Sequence, residues 1–188
     1  MFDGGARIFQ SVTFEAYLAL RLPALLRYAL MLTGDPHLAQ DVVQETMVRA
    51  HVHWRRVQRA DLPDRYVKRM VTNTYLGWRR GGWFRRSVPV ADVPELGSVP
   101  DPAESSAVRE ELWQRLATLP PRQRAAVVLR FYEDLDDTEI ADVLGCSVST
   151  VRSQISRALT ALREATQHTT QRAGERGVPL THRTGDAR

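Results

Sequence analysis

The 188 residues are 43% hydrophobic, enough to bury one or two small cores. Twenty-five arginines and one lysine (Lys68) leave a net charge of +4 and a pI of about 9.7; arginine suits bidentate contacts to phosphate and guanine, although a GC-rich genome also depletes lysine. One cysteine excludes an internal disulfide and a cysteine-rich zinc site, no apolar run reaches 18 residues and no basic-then-apolar leader opens the chain, so a soluble cytoplasmic protein is expected.

Residues Met1–Val12 are short and glycine-containing and are expected to fray. A first helical block runs from Thr13 to about Trp83. Phe14, Tyr17, Leu18, Leu22, Leu25, Leu26, Ala29, Leu30 and Leu32 recur at helical spacing, with Pro23 a point of kink or break. Thr33-Gly34-Asp35-Pro36 reads as a turn, Asp35 capping a helix that opens on Pro36 and runs to about Val57. That helix turns Leu38, Val42, Val43, Met47, Ala50 and Trp54 inward and leaves Asp41, Gln44, Glu45, Thr46 and Arg49 on its outer sides. A further helix, Arg65 to about Arg80, interleaves Tyr66, Val67, Met70, Val71, Tyr75 and Trp78 with basic residues.

Gly81-Gly82 ends this block. Ser87–Ser106 carries Pro89, Pro94, Pro100 and Pro102 among acids and has no helical period, as a linker or mobile loop would. The second helical block, about Val108 to Thr166, starts with Leu112, Trp113, Leu116 and Leu119, then Pro120-Pro121, then Val127, Val128, Leu129 and Phe131. After Thr166 the chain is polar and rich in Gly, Thr and Arg, and disorder is expected for 167–188. No strand pattern competes. The expected fold is all-α: two small helical domains, 13–86 and 107–166, joined by an acidic, proline-containing linker, 87–106.

Within the second block, Asp136 and Glu139 have capping-box spacing ahead of Ile140, Ala141, Val143 and Leu144. Gly145 sits where a left-handed residue ends a helix, Cys146 fills the turn as a small structural residue, and Ser147 caps the next helix. On a wheel of that helix, Val151, Ile155, Ala158, Leu159 and Leu162 share one side; Ser149, Arg152, Ser153, Ser156 and Arg157 share the other. Small hydroxyls let a helix sink into a major groove and the arginines can reach base edges, so this is a helix-turn-helix with a reading helix.

An ordinary helical hairpin would share the pattern, but charge separates the two. Ser147–Arg163 has three arginines and no acid, while Glu133, Asp134, Asp136, Asp137, Glu139 and Asp142 all precede it. From Arg49 to Arg86 eleven basic residues meet only Asp61 and Asp64, a net +9; from Ser87 to Glu111 the net is −5. A nucleic-acid binder with an acidic spacer segregates charge in this way. An enzyme is not expected: no phosphate-cradling glycine loop, catalytic triad or metal spacing is present, and His51 and His53 point to different sides of their helix. No catalytic residue, metal site or cofactor is assigned.

Together these segments resemble an extracytoplasmic-function (group 4) sigma factor of bacterial RNA polymerase. The likeness covers about Phe14–Arg86 and Ala107–Arg163. Gly34-Asp35 followed by Ala39–Ala50 is similar to the family's polymerase-binding helix in σ2. Tyr66–Arg80, with Asn73 and Arg79-Arg80, resembles its −10 reading and melting segment. Leu119–Arg124 and Leu129-Arg130-Phe131 open σ4 as the family does, and Asp137–Leu162 resembles its −35 reading helix-turn-helix. Gln40, Met47 and Gly77 depart from the family's usual acid, aromatic and Asp; Gly77 is expected to loosen the end of the −10 helix. The arginine- and tryptophan-rich Trp78–Arg86 is similar to an actinobacterial, SigE-like subgroup.

The resemblance implies promoter-specific initiation with two DNA-reading surfaces and no catalytic step. Asp41, Gln44, Glu45 and Arg49 would dock on the β′ clamp helices of core polymerase, with σ4 on the β flap. Arg65, Lys68, Arg69, Asn73, Trp78, Arg79 and Arg80 would hold −10 DNA; Tyr66 and Tyr75 are further candidates for base contact, although core positions suit at least one of these aromatics. Ser149, Arg152, Ser153, Ser156 and Arg157 would read the −35 element. The acidic linker (Asp92, Glu95, Asp101 and Glu104) would mimic nucleic acid in a polymerase channel. Both faces must be hidden in the idle protein, which leaves a place for an anti-sigma factor, though no residue identifies one. The competing expectation is a helix-turn-helix regulator that binds DNA without core polymerase.

Overall fold

The computed structural model describes residues 12–81 and 107–175, with side chains described for 12–80 and 113–165. Among the described residues every regular element is an α-helix: α1 (Phe14–Thr33), α2 (Pro36–Val52), α3 (Trp54–Gln58), α4 (Pro63–Gly81), α5 (Ala107–Thr118), α6 (Pro121–Phe131), α7 (Asp137–Leu144) and α8 (Val148–Glu175). The linker expected at 87–106, with its four acids, lies outside the described residues, as do Trp83–Arg86. The last helix continues to Glu175, through residues whose composition reads as a polar tail.

Local chemistry sets the helix ends. The Thr13 hydroxyl accepts from the Ala16 amide and starts α1. Gly34, at φ +70°, ends it, and Asp35 caps α2 through the Leu38 amide at 3.1 Å, with Pro36 in the first turn. Pro23 neither breaks nor ends α1, which is one helix of 20 residues. Tyr17, Leu25, Leu26, Tyr28, Ala29 and Leu32 bury its inner face, and each buried leucine contributes about 1.5–3 kcal/mol, comparable with the ~3 kcal/mol penalty of an interior proline. By length and composition α1 could also cross a membrane, but it is the central core helix here, with Arg21 paired to Asp64 on α4.

Two expectations for the next segment need correction. The helix starting at Pro36 does not run unbroken to Val57: it stops at His53 (φ −109°, ψ 25°) and restarts as α3, whose Trp54 indole N–H donates to the Val12 carbonyl. Thr46 is not on an outer side. It is fully buried, its hydroxyl donating to the Val42 carbonyl at 2.7 Å and lying 3.2 Å from that of Thr74 on α4. A threonine that returns its hydroxyl to the i−4 carbonyl is satisfied in a core, which is why its polarity misleads. Val48, beside it in sequence, is the exposed residue.

The two helical regions do not form separate cores. One apolar cluster runs from Tyr17, Leu26 and Tyr28 of α1 and Val67, Val71 and Tyr75 of α4 into Ala125, Val128 and Leu129 of α6 and Ile140 of α7. Tyr28 stacks on Tyr132 with ring centroids 6.3 Å apart, and its hydroxyl lies 2.6 Å from that of Thr72; burial pushes its pKa well above the tyrosine range. Arg124 ties the regions together. Nearly buried, its guanidinium donates to the Leu32 and Thr33 carbonyls at the end of α1 and to the Ala117 and Leu119 carbonyls at the end of α5. Four carbonyls engage both terminal nitrogens, while the buried Nε has no hydrogen-bond partner, and burial disfavours the charged form and lowers its pKa.

Candidate nucleic-acid interface

The helix-turn-helix is built from three local devices. Asp136 accepts from the Thr138 and Glu139 amides at 2.8 Å while Glu139 accepts from the Asp136 amide at 2.9 Å, closing the capping box of α7. Gly145 takes φ +61° to end α7, and the Ser147 hydroxyl accepts from the Thr150 amide to start α8. Val151 and Ala158 of α8 are fully buried, Ile155 and Leu162 pack half-buried against the core, and Leu159 is half-buried beside them on the helix. Ser149, Arg152, Ser156 and Arg157 face outward and Ser153 is half-buried. The Arg152 Nε–H donates to Asp137 at 2.8 Å, and Asp137 also pairs with Arg130, so the arginine's fork is held at its base while its side chain stays 71% exposed.

Phe131, three residues after buried Val128, is an exposed aromatic. At the end of α6 it is 64% exposed and, with Ile155 and Leu159, lines a shallow groove of about 350 Å³ edged by Arg130, Arg152 and Arg163.

On α4, Val67, Val71, Tyr75 and Leu76 are buried, so Tyr75 belongs to the core rather than to a base-contacting set. Tyr66 and Trp78 are half-buried and pack on the core's edge; Asn73, Arg79 and Arg80 are exposed. The remaining three candidates are engaged. Arg65 pairs with Glu139, the Lys68 ammonium reaches both Glu133 oxygens at 2.8 Å, and Arg69 donates to the Asp142 carbonyl at 2.8 Å. All three partners lie on α7 or the turn before it. Lys68–Glu133, with side chains 20% and 12% exposed, is less screened by solvent but costs more to desolvate than Arg65–Glu139, near 40% exposed on each side, which falls in the ~0–1 kcal/mol range of exposed pairs.

On α2, Asp41 and Arg49 are exposed, Gln44 and Glu45 half-buried, and Arg49 pairs with Glu45 at 2.7 Å one turn away. This polar stripe is continuous with exposed Val48 and Val52. Sequence reasoning assigned no role to Arg55, Arg56 and Arg59. They line an open groove of about 900 Å³ with His51 and His53, and the +9 charge block was the signal that contained them.

The same two regions are found in known proteins. Residues 12–85 match Sigma-70 region 2 and residues 109–162 match Sigma-70, region 4. The chain is 40% identical over 151 residues to the RNA polymerase sigma-E factor of Streptomyces avermitilis, covering 80% of this chain and 83% of that protein. It is 33% identical over 163 residues to the ECF RNA polymerase sigma factor SigL of Mycobacterium tuberculosis, covering 85% and 92%. The fold resembles that of the sigma factor RpoE of Bartonella quintana, solved with the anti-sigma factor NepR, at a TM-score of 0.60 and 23% identity over 82% of this chain and 96% of that one. With both regions matched in order and relatives this similar over most of their length, the chain belongs to the extracytoplasmic-function sigma factors of the sigma-70 family.

Proposed function

We propose that the protein acts in the cytoplasm by binding core RNA polymerase and promoter DNA, without a catalytic step of its own. Asp41, Gln44, Glu45 and Arg49 of α2 dock on the β′ clamp helices by charge-assisted hydrogen bonds, and σ4 engages the β flap. Arg65, Lys68, Arg69, Arg79 and Arg80 of α4 hold the −10 strand, with Asn73 and Trp78 receiving unstacked bases; each stacked base contributes about 1–3 kcal/mol toward opening the duplex without ATP. Ser149, Arg152, Ser153, Ser156 and Arg157 of α8 read the −35 element in the major groove. An anti-sigma factor is a further partner of the idle protein, as it is for the sigma factor in the complex with NepR.

One observation carries this reading. The chain has two arginine-bearing helices, α4 and α8, each with an apolar face in the core and a polar face turned away from it, in two regions that match sigma-70 regions 2 and 4. Run-off transcription from a promoter library, with bacterial core polymerase and with or without this protein, tests it. Initiation at a defined −35/−10 pair only when both are present is expected. Tight binding of the protein alone to one DNA site, with no dependence on core, would make it a conventional regulator and remove the role of α2.

A further inference from the structure

Asp137 opens α7, yet the cap of that helix is complete without it, because Asp136 and Glu139 close the box between themselves. Its carboxylate is bonded elsewhere. One oxygen accepts from the Arg152 Nε–H of α8 at 2.8 Å, the other from a terminal nitrogen of Arg130 in the last turn of α6. Exposure is graded through this cluster: the Asp137 and Arg130 side chains are 22% and 29% exposed, that of Arg152 71%. The acid is thus the sheltered member and Arg152 the presented one. Arg157, exposed on the same outward face of α8, has no carboxylate partner among the described residues.

We infer that Asp137 is a positioning residue for −35 recognition, fixing the Arg152 guanidinium so that it meets one guanine of the major groove end-on. This rests on the −35 role proposed for α8. An arginine bonded through Nε still presents both terminal amino groups along one edge, and that edge matches guanine O6 and N7. Holding it before DNA arrives removes part of the rotamer freedom that a long side chain otherwise loses on binding. A base that accepts both bonds gains from this, and a base that accepts neither does not. Arg130 deals with the remaining difficulty, a carboxylate near phosphates. With it the cluster holds two guanidiniums and one carboxylate, a net +1, so the reading face keeps its positive sign. The three residues come from α6, α7 and α8, so the packing of the helix-turn-helix itself sets the direction of the arginine.

The test is run-off transcription by the full chain with core polymerase, on a cognate promoter and on every single-base variant of its −35 element. Arg152→Ala identifies the position that Arg152 reads. Asp137→Asn is expected to lower discrimination at that position about tenfold, and to lower it no further in the Arg152→Ala background. Initiation on the variant sequences should hold or rise, because removing an acid adds positive charge facing the phosphates. Asp142→Asn removes the same charge from an exposed side chain of α7 and should leave discrimination unchanged. A loss equal on every sequence, or an Asp137→Asn effect that persists without Arg152, would make Asp137 a structural residue and overturn the inference. Unchanged discrimination in Asp137→Asn or in Arg152→Ala overturns it as well. Should Asp137→Asn lose helicity, NMR of the wild-type chain decides: the Arg152 Nε–H is expected to exchange with water several-fold more slowly than that of Arg157, and equal rates overturn the anchoring. A chain that fails with core polymerase but binds one duplex alone sinks the sigma reading instead; the same variants, compared on that duplex, still decide the role of Asp137.

Discussion

Gly34 and Arg152 illustrate how differently two surface residues constrain this protein. Gly34 adopts φ +70°, and a Cβ there would lie 2.9 Å from the Ala117 Cβ and 3.2 Å from an Arg124 nitrogen. Gly34→Ala should therefore destabilise the fold by about 1–2 kcal/mol from backbone conformation alone, with the contact to the second region adding to it; urea unfolding would measure the sum. For Arg152→Ala the expected effect falls on recognition. Asp137 keeps Arg130 as a partner, so stability should change by less than about 0.5 kcal/mol. Promoter discrimination should fall by about 1–3 kcal/mol if the guanidinium is bidentate to guanine, read from run-off on cognate and single-base-variant −35 sequences. A loss equal on every sequence, with a shallower salt dependence, would make it a phosphate contact.

At the scale of elements, what could be read from the chain was what neighbouring residues decide. The capping box of α7, the left-handed Gly145 and the Asp35-Pro36 start of α2 are local events, and sequence reasoning placed them where the structure has them. Pro23, the break at His53 and the exposure of Phe131 depend on what packs against those residues, which no window of sequence contains. Gly77 is a local irregularity with a usable consequence. It lies inside α4, and nothing stands within 4 Å of a Cβ built there. Gly77→Ala should raise thermal stability by about 0.5–1 kcal/mol, measurable by calorimetry, because only backbone freedom of the unfolded chain is lost. An unchanged melting temperature would mean that the C-terminal turns of α4 are frayed in the folded protein.

Across the whole molecule, two helical regions were legible but their docking was not. Lys68 and Glu133 are 65 positions apart, Arg65 and Glu139 74, and no periodicity links such pairs. The acids from Glu133 to Asp142 could be read as avoiding DNA, whereas the Glu133 and Glu139 carboxylates pair with α4, and Asp142 bonds it only through its backbone carbonyl. The docked state also has a thermal signature, which follows from the apolar cluster shared by α1, α4, α6 and α7. Separating the regions wets that surface, so opening carries a positive heat-capacity change, and the apolar part of closure weakens on cooling. Dehydrating the Lys68–Glu133 pair also becomes less unfavourable on warming, which acts in the same direction. Interdomain distances recorded at about 5 °C should therefore contain more of the open form than those at about 35 °C.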